Sequence, residues 1–122
     1  MLLIATIDPI LRSHLQDTLA KKGDPFLVLG EGENIVETVI RQQPSMVILD
    51  LYLSDPSGLA ILRQLRAEGY VGKVVVLGGQ STQSLTQEVS HLGALQIVGR
   101  PFSASQVLGA IRVANGTLDD DP

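Results

Sequence analysis

The residue of this chain best placed for chemistry is Asp50, a carboxylate at the end of an apolar run. Residues 46–49 predict a buried strand, and the turn-forming sequence DPSG follows at residues 55–58. A charged group at the tip of a buried strand costs free energy unless partners or water satisfy it. Asp50 therefore either belongs to a functional site or simply caps the following turn, as Asp often does before a loop. The local pattern leaves both interpretations open.

Other polar residues give weaker indications of chemistry. Gly78 and Gly79 follow an apolar run, so their N–H groups could hold an anion, although a Gly-Gly pair after a strand more often forms only a loop. His14 and His91 have neither metal-ligand spacing nor an evident carboxylate partner, and we interpret them as solvent-facing. The sequence contains no glycine-rich phosphate or dinucleotide loop and no serine nucleophile motif. It therefore gives little support for an enzyme.

Five short apolar runs alternate along the chain with five segments of helical spacing. Each run is rich in Val, Ile and Leu without polar alternation, which is typical of strands covered on both faces of a parallel sheet. The predicted strands span residues 2–5, 26–29, 46–49, 74–77 and 95–98. The alternation predicts an α/β three-layer sandwich, in which functional groups gather beyond the carboxyl ends of the strands. Asp50 lies at such an end.

Residues at the ends of the helical segments agree with this alternation. Asp8 followed by Pro9 predicts the N-cap and first residue of the first helix. Glycines stand where helices are expected to end, at Gly23, Gly69, Gly93 and Gly116.

The composition indicates one compact domain in the cytoplasm. With 122 residues and 44% hydrophobic content, the chain can bury a core without a metal or a disulfide, and it has no cysteine. A net charge of -4 with scattered basic residues gives no footprint for nucleic acid. The first residues lack the basic flank and the apolar length of a signal peptide or membrane span. We expect a domain over residues 1–116 and an acidic tail, or the start of a linker, over residues 117–122.

From residue 2 to about residue 115 the chain resembles the receiver domain of two-component response regulators. The resemblance is carried by VILDLYLSDPSG around Asp50, by the DP-x-x-R sequence that starts at Asp8, and by GRPF at residues 99–102. It implies a flavodoxin-like, doubly wound parallel sheet of five strands in the order 2-1-3-4-5. It also implies that Asp50 is the phosphoacceptor for a histidine kinase.

Four features depart from the pattern of that family. The acidic pair that holds Mg²⁺ in the family falls on Thr6 and Ile7, and the hydroxyl residue that contacts the phosphoryl group falls on Gly78. The family's lysine falls on Arg100, and its aromatic switch residue falls on Ile97. Because glycine has no hydroxyl and isoleucine has no ring, the resemblance implies that the family's conformational relay is missing here.

These departures lower the expected affinity for metal. Mg²⁺ prefers oxygen ligands in a tight octahedron, so we expect no resident cofactor. Weak binding of Mg²⁺ would use Asp50, the backbone carbonyl of Tyr52 and, in a substitute role, Asp8. Arg100 carries a permanent charge and would partly replace the missing cation if it reaches Asp50, whereas in the other interpretation it points to solvent.

We therefore expect a receiver-like signalling domain that works as a pseudo-receiver through protein–protein contacts, with weak or absent Mg²⁺-dependent phosphorylation of Asp50. The alternative is a working phosphoacceptor in which Arg100 stabilises charge. A third interpretation is a small-ligand-binding domain with an anion at Gly78 and Gly79. Expected partners are a histidine kinase, an output domain or another signalling protein. The resemblance also implies possible pairing with a second copy through the last two βα units, and we expect neither nucleic acid nor membrane as a partner.

Overall fold

The computed structural model describes residues 1–23, 25–30, 34–53, 56–78, 83–98 and 104–115, with side chains at all of these except 83–86, 95–98, 104 and 114–115. Strands and helices alternate along the chain. They are β1 (Leu2–Ala5), α1 (Pro9–Lys22), β2 (Phe26–Leu29), α2 (Ile35–Gln42), β3 (Met46–Asp50), α3 (Gly58–Ala67), β4 (Lys73–Leu77), α4 (Gln83–His91), β5 (Ala94–Val98) and α5 (Ala104–Asn115). Within these ranges, no helix has the length and apolarity needed to cross a membrane.

The strands form one parallel sheet in the order β2-β1-β3-β4-β5. The predicted order 2-1-3-4 is confirmed, and β5 pairs with β4 with a shift of register between Val74 and Val75. β3 lies between β1 and β4, and all of its residues are buried. The carboxyl end of β3 therefore lies between two neighbouring strand ends.

The sheet separates two hydrophobic clusters. Alternate residues of a strand point to opposite faces, so Val47 and Leu49 of β3 join one cluster while Met46 and Ile48 join the other. The first cluster packs against α2, α3 and α4, and the second packs against α1 and α5. The predicted three-layer arrangement is therefore confirmed, and β3 is covered on both faces.

The first helix begins and ends where the sequence predicts. Oδ1 of Asp8 accepts hydrogen bonds from the N–H groups of Ile10 (3.0 Å) and Leu11 (3.1 Å), which satisfies donors that the helix itself leaves free. Gly23 ends α1 in the left-handed conformation with φ of 78°. The predicted helix end at Gly116 lies outside the described residues.

Gly58 lets the start of α3 approach the backbone at the end of β3. A Cβ atom at Gly58 would lie 2.6 Å from Cα of Leu51 and closer still to the carbonyl oxygen of Asp50. Ser57 caps the helix here, since its hydroxyl accepts a hydrogen bond from the N–H of Ala60 (3.1 Å). The entry of α3 thus depends on the absence of a side chain at residue 58.

Replacing this glycine should destabilise the domain. We expect Gly58→Ala to lower the free energy of unfolding by about 1–3 kcal/mol, because backbone atoms must move to admit the methyl group. Gly109→Ala in α5 is the matched control, since an added Cβ there meets nothing within 4 Å. It should raise stability by about 0.4–1 kcal/mol. Urea denaturation followed by circular dichroism measures both, and equal effects at the two sites would contradict the close contact.

Tyr70 joins the segment before β4 to the segment before β3. Its side chain is buried, and its hydroxyl donates to the carbonyl oxygen of Pro44 (2.8 Å). The Arg66 guanidinium lies 5.8 Å from the centre of the ring. Burial raises the pKa of the Tyr70 phenol above its ordinary value of 10.0, and the nearby charge of Arg66 offsets part of this rise.

This raised pKa predicts a loss of stability in alkali. Between the ordinary and the raised pKa the unfolded chain loses its phenolic proton before the folded chain does, so the free energy of unfolding should fall as pH rises. Urea denaturation from about pH 9 to about pH 11 measures the decline. Tyr70→Phe cannot ionise and should show a smaller decline from a lower starting stability. An identical decline in the two proteins would show that another group is responsible.

Candidate functional site

Asp50 lies at the carboxyl edge of the sheet, where the sequence predicts it. It is the last residue of β3 and is fully buried, with 0% of its surface exposed. The strand register pairs Leu49 with Ala5 of β1, and Asp50 itself with Leu77 of β4. Chain connections leave β1 and β3 in opposite directions across the sheet, so Asp50 stands at the switch point where ligands of such sheets bind.

Both oxygens of the Asp50 carboxylate accept hydrogen bonds from neutral donors. Oδ1 accepts from the N–H of Tyr52 (2.8 Å), which is a turn-capping contact. Oδ2 accepts from the Thr6 hydroxyl (2.8 Å) and more weakly from the N–H of Ile7 (3.3 Å). Asp50 therefore caps its own turn and also holds the end of β1. The donors explain how a carboxylate can be buried at this position.

Thr6 connects Asp50 to the start of α1. Thr6 is also fully buried, and its hydroxyl accepts a hydrogen bond from the N–H of Asp8 (3.1 Å) while it donates to Asp50. The same hydroxyl is thus used as donor and acceptor. In the sequence, Thr6 stands out only because it replaces an acidic residue of the family. Its hydrogen bonds to Asp50 and Asp8 are not predicted. The sequence offers no local signal for them, because the pairing that brings the residue after Ala5 beside the residue after Leu49 joins distant parts of the chain.

The described residues around Asp50 supply few of the ligands that a magnesium ion needs. Mg²⁺ requires several oxygen ligands in octahedral geometry, but among the described residues no group of three or more His, Cys, Asp or Glu side chains is arranged to hold a metal. Ile7 is apolar and packs against the first hydrophobic cluster. Asp8, named above as a substitute ligand, caps α1 through its Oδ1 atom, and its role as a ligand stays a prediction. Oδ2 of Asp50 accepts two of the hydrogen bonds above and Oδ1 accepts one, so a metal bound through Oδ2 would compete with the Thr6 hydroxyl.

Gly78 is buried beside Asp50 at the end of β4, and a side chain there would meet Leu51. A Cβ atom at Gly78 would lie 2.9 Å from Cδ1 of Leu51, whose N–H donates to the carbonyl of Leu77 (2.8 Å). A side chain at residue 78 would therefore require the end of the Leu51 side chain to move. Gly79 and Arg100, and the side chain of Ile97, lie outside the described residues, so the proposed contact of Arg100 with Asp50 stays a prediction.

Arg12 reaches the same network from α1. Its guanidinium lies close to the carbonyl oxygen of Thr6 (3.4 Å) and against Gly30, where an added Cβ would be 3.3 Å from the nearer nitrogen. Its Nε atom is buried and has no hydrogen-bond acceptor among the described residues. The last residue of the DP-x-x-R sequence thus places a positive charge behind Thr6. His14 and His91 are both exposed, as the sequence predicts.

A five-stranded doubly wound parallel sheet in the order 2-1-3-4-5 defines the flavodoxin-like class of α/β proteins, and in this chain a carboxylate lies at the switch point of that sheet. Within that class, the family model for the response regulator receiver domain matches residues 2–112. The chain therefore belongs to the response regulator receiver domain family.

Individual relatives agree with this family. The chemotaxis protein CheY of Bacillus subtilis is 27% identical over 121 residues, which cover 97% of each chain. The DNA-binding response regulator MtrA of Mycolicibacterium smegmatis is also 27% identical over 121 residues, but these cover 99% of this chain and 53% of that protein. The crystal structure of the receiver domain of NtrX from Brucella abortus matches with a TM-score of 0.78 at 19% identity, covering 93% of this chain and 97% of that one. The last comparison supports the fold.

The Thr6 hydroxyl should be needed for stability. Thr6→Val keeps the shape of the side chain but leaves Oδ2 of Asp50 short of a donor and the N–H of Asp8 without this acceptor. We expect the free energy of unfolding to fall by about 1–3 kcal/mol. Thr6→Ser keeps the hydroxyl and should lose only about 0.8 kcal/mol for the missing methyl group. Urea denaturation distinguishes the two, and a Thr6→Val protein as stable as the parent would contradict the assignment.

Proposed function

We propose that this chain is a receiver domain that acts chiefly through protein–protein contacts and takes up a phosphoryl group on Asp50 weakly or not at all. Members of the family interact with histidine kinases and output domains, so the proposed partner is a protein of this signalling system. Asp50 is the proposed phosphoacceptor position, and the crevice around it is the proposed site.

The observation that carries this proposal is the set of neutral donors around Asp50. Phosphoryl transfer to a carboxylate depends on positioning and on positive charge that offsets the charge developing on the phosphoryl oxygens. Among the described residues, the hydrogen-bond donors to the carboxylate are a hydroxyl and two backbone N–H groups. Thr6 and Ile7 stand at the positions of the family's acidic pair, and neither brings a second carboxylate for a metal. Asp50 would therefore attack without a second carboxylate beside it to hold a metal.

The residues proposed to relay a signal also favour a domain with one state. Gly78 has no hydroxyl to contact a phosphoryl group. Ile97, at the switch position implied by the resemblance, has no ring to reorient. A switch needs an element with two states that a ligand can bias. The permanent shape of the domain is then what a partner recognises.

The second candidate function is a working phosphoacceptor, favoured by the place of Asp50 at the mouth of the sheet. In that case a carboxylate oxygen of Asp50 forms a bond to phosphorus while the bond from phosphorus to a phosphohistidine nitrogen breaks, which returns that histidine to its neutral form. Arg100 would supply part of the missing positive charge. Three further expectations remain predictions. They are location in the cytoplasm, pairing of two copies through the last two βα units, and a domain boundary near residue 116.

A labelling experiment separates the two candidates. The full chain is incubated with acetyl phosphate and Mg²⁺, and intact mass spectrometry measures the fraction that carries one phosphoryl group. We expect labelling at least about 100-fold slower than in a receiver with the acidic pair, because each lost electrostatic stabiliser typically costs about 10²- to 10³-fold. Rapid stoichiometric labelling that disappears in Asp50→Asn would overturn the proposal.

A variant that restores the acidic pair provides the positive control. Thr6→Asp combined with Ile7→Asp places two carboxylates beside Asp50, and we expect measurable Mg²⁺ binding by calorimetry together with faster labelling. Adding Asp50→Asn to this variant should abolish the labelling. Folding of each variant is checked by circular dichroism. If the parent protein binds Mg²⁺ as tightly as the restored variant does, the missing acidic pair does not limit the site.

A further inference from the structure

Arg63 and Glu88 form an ion pair between α3 and the neighbouring helix α4. Nε of Arg63 donates to Oε2 of Glu88 (2.6 Å), and a second guanidinium nitrogen pairs with the same oxygen. Both side chains keep part of their surface in water, 55% and 39%. The two charge-assisted contacts to one carboxylate oxygen join the middle of α4 to the middle of α3.

Arg66, one turn further along α3, holds the end of α4 through backbone carbonyls. Its guanidinium spans two loops, since two of its acceptors directly follow α4 and two precede β4. The acceptors are the carbonyl oxygens of Leu92 (2.7 Å), Gly93 (3.3 Å), Tyr70 (2.8 Å) and Gly72 (3.0 Å). Gly93 is suited to this approach because its φ is 83° and an added Cβ would lie 3.3 Å from the guanidinium. One side chain therefore fastens the α4–β5 connection to the α3–β4 connection.

The Arg66 contacts lie at the edge of the sheet opposite Asp50. Tyr70 and Gly72 come before β4 begins, and Gly93 comes directly before β5 begins, whereas Asp50 stands where β3 ends. Val89 adds an apolar anchor, since it is buried in the cluster that α3 also lines. The described contacts that hold α4 on α3 thus include no residue of the Asp50 network.

We propose that Arg63 and Arg66 form a latch that fixes α4 and the start of β5 in one position, whatever the state of Asp50. The inference rests on the proposed function for the independence of α4 from the state of Asp50, whereas the latch itself is built from contacts that share no residue with the Asp50 network. Movement of α4 away from α3 then requires release of the two arginines and not a change at Asp50.

Hydrogen exchange of the full chain tests the latch, because exchange reports local opening of a helix. The amides of α4 and of residues 92–94 are followed by mass spectrometry in the parent protein, Arg63→Gln and Arg66→Lys. We expect Arg63→Gln to accelerate exchange in α4 by up to about five-fold, the range for loss of one exposed ion pair. Arg66→Lys should accelerate it by about ten-fold or more, since an ammonium group cannot reach all of the carbonyls at once.

Two control variants distinguish opening of α4 caused by loss of the latch from a general loss of stability and from an effect of Asp50. Arg41→Gln removes a comparably exposed ion pair with Glu37 that lies within α2 alone, and it should leave exchange in α4 unchanged. Asp50→Asn should also leave it unchanged. In concentrated salt the parent protein should approach the exchange of Arg63→Gln, because screening weakens an exposed pair.

The latch is overturned if α4 exchanges at the parent rate in Arg63→Gln, or if Asp50→Asn accelerates α4 as much as the arginine variants do. If Arg66→Lys fails to fold, Arg63→Gln decides the matter, because loss of an exposed side chain rarely unfolds a domain. The result is independent of the labelling experiment. Phosphorylation of Asp50 would contradict the proposed function and leave the exchange comparison intact, whereas unchanged exchange would remove the latch and leave the labelling result intact.

Discussion

The hydrogen bond between the Thr6 hydroxyl and the Asp50 carboxylate joins β1 to β3 at a point where neither residue reaches water. A carboxylate at such a point must be satisfied by the protein, since an unpaired charge there costs far more than the domain's margin of stability. The same hydroxyl accepts from Asp8, so the start of α1 is tied to the tip of β3 through one oxygen atom. The positions of a helix and two strands therefore depend on the group that satisfies Asp50.

Much of the fold could be predicted because buried parallel strands have a distinctive composition. The first two strands have the predicted bounds, and the others differ by one residue at one end. β3 extends to Asp50 because this residue still pairs with Leu77 of β4. β4 begins at Lys73, which the sequence pattern missed because an exposed, charged residue is not typical of a buried strand. Strand order came from the resemblance to a family, because pairing between parallel strands joins residues far apart in sequence and leaves no local pattern.

The site was predicted less completely than the fold. The position of Asp50 could be predicted because a carboxylate directly after a buried strand is unusual, and the helix cap at Asp8 could be predicted because the Asp-Pro pair is a local signal. Thr6 was missed as a donor because a threonine after an apolar run has many possible uses. Arg66 was missed for a different reason, since its acceptors are backbone carbonyls and any sequence can supply them. The pairing of Arg63 with Glu88 joins two helices and has no helical spacing.

The hydrogen bonds that satisfy the buried Asp50 carboxylate also bear on how the domain could signal. If a domain keeps one conformation, the amount of complex that it forms with a partner depends only on the concentrations of the two proteins. In the proposed function, the cell would then adjust the message through synthesis and degradation of the chain, and its strength would follow the ratio of this protein to the targets that compete for it. Under the proposed function, the domain would compete for shared targets in proportion to its concentration and would not store the effect of an earlier stimulus.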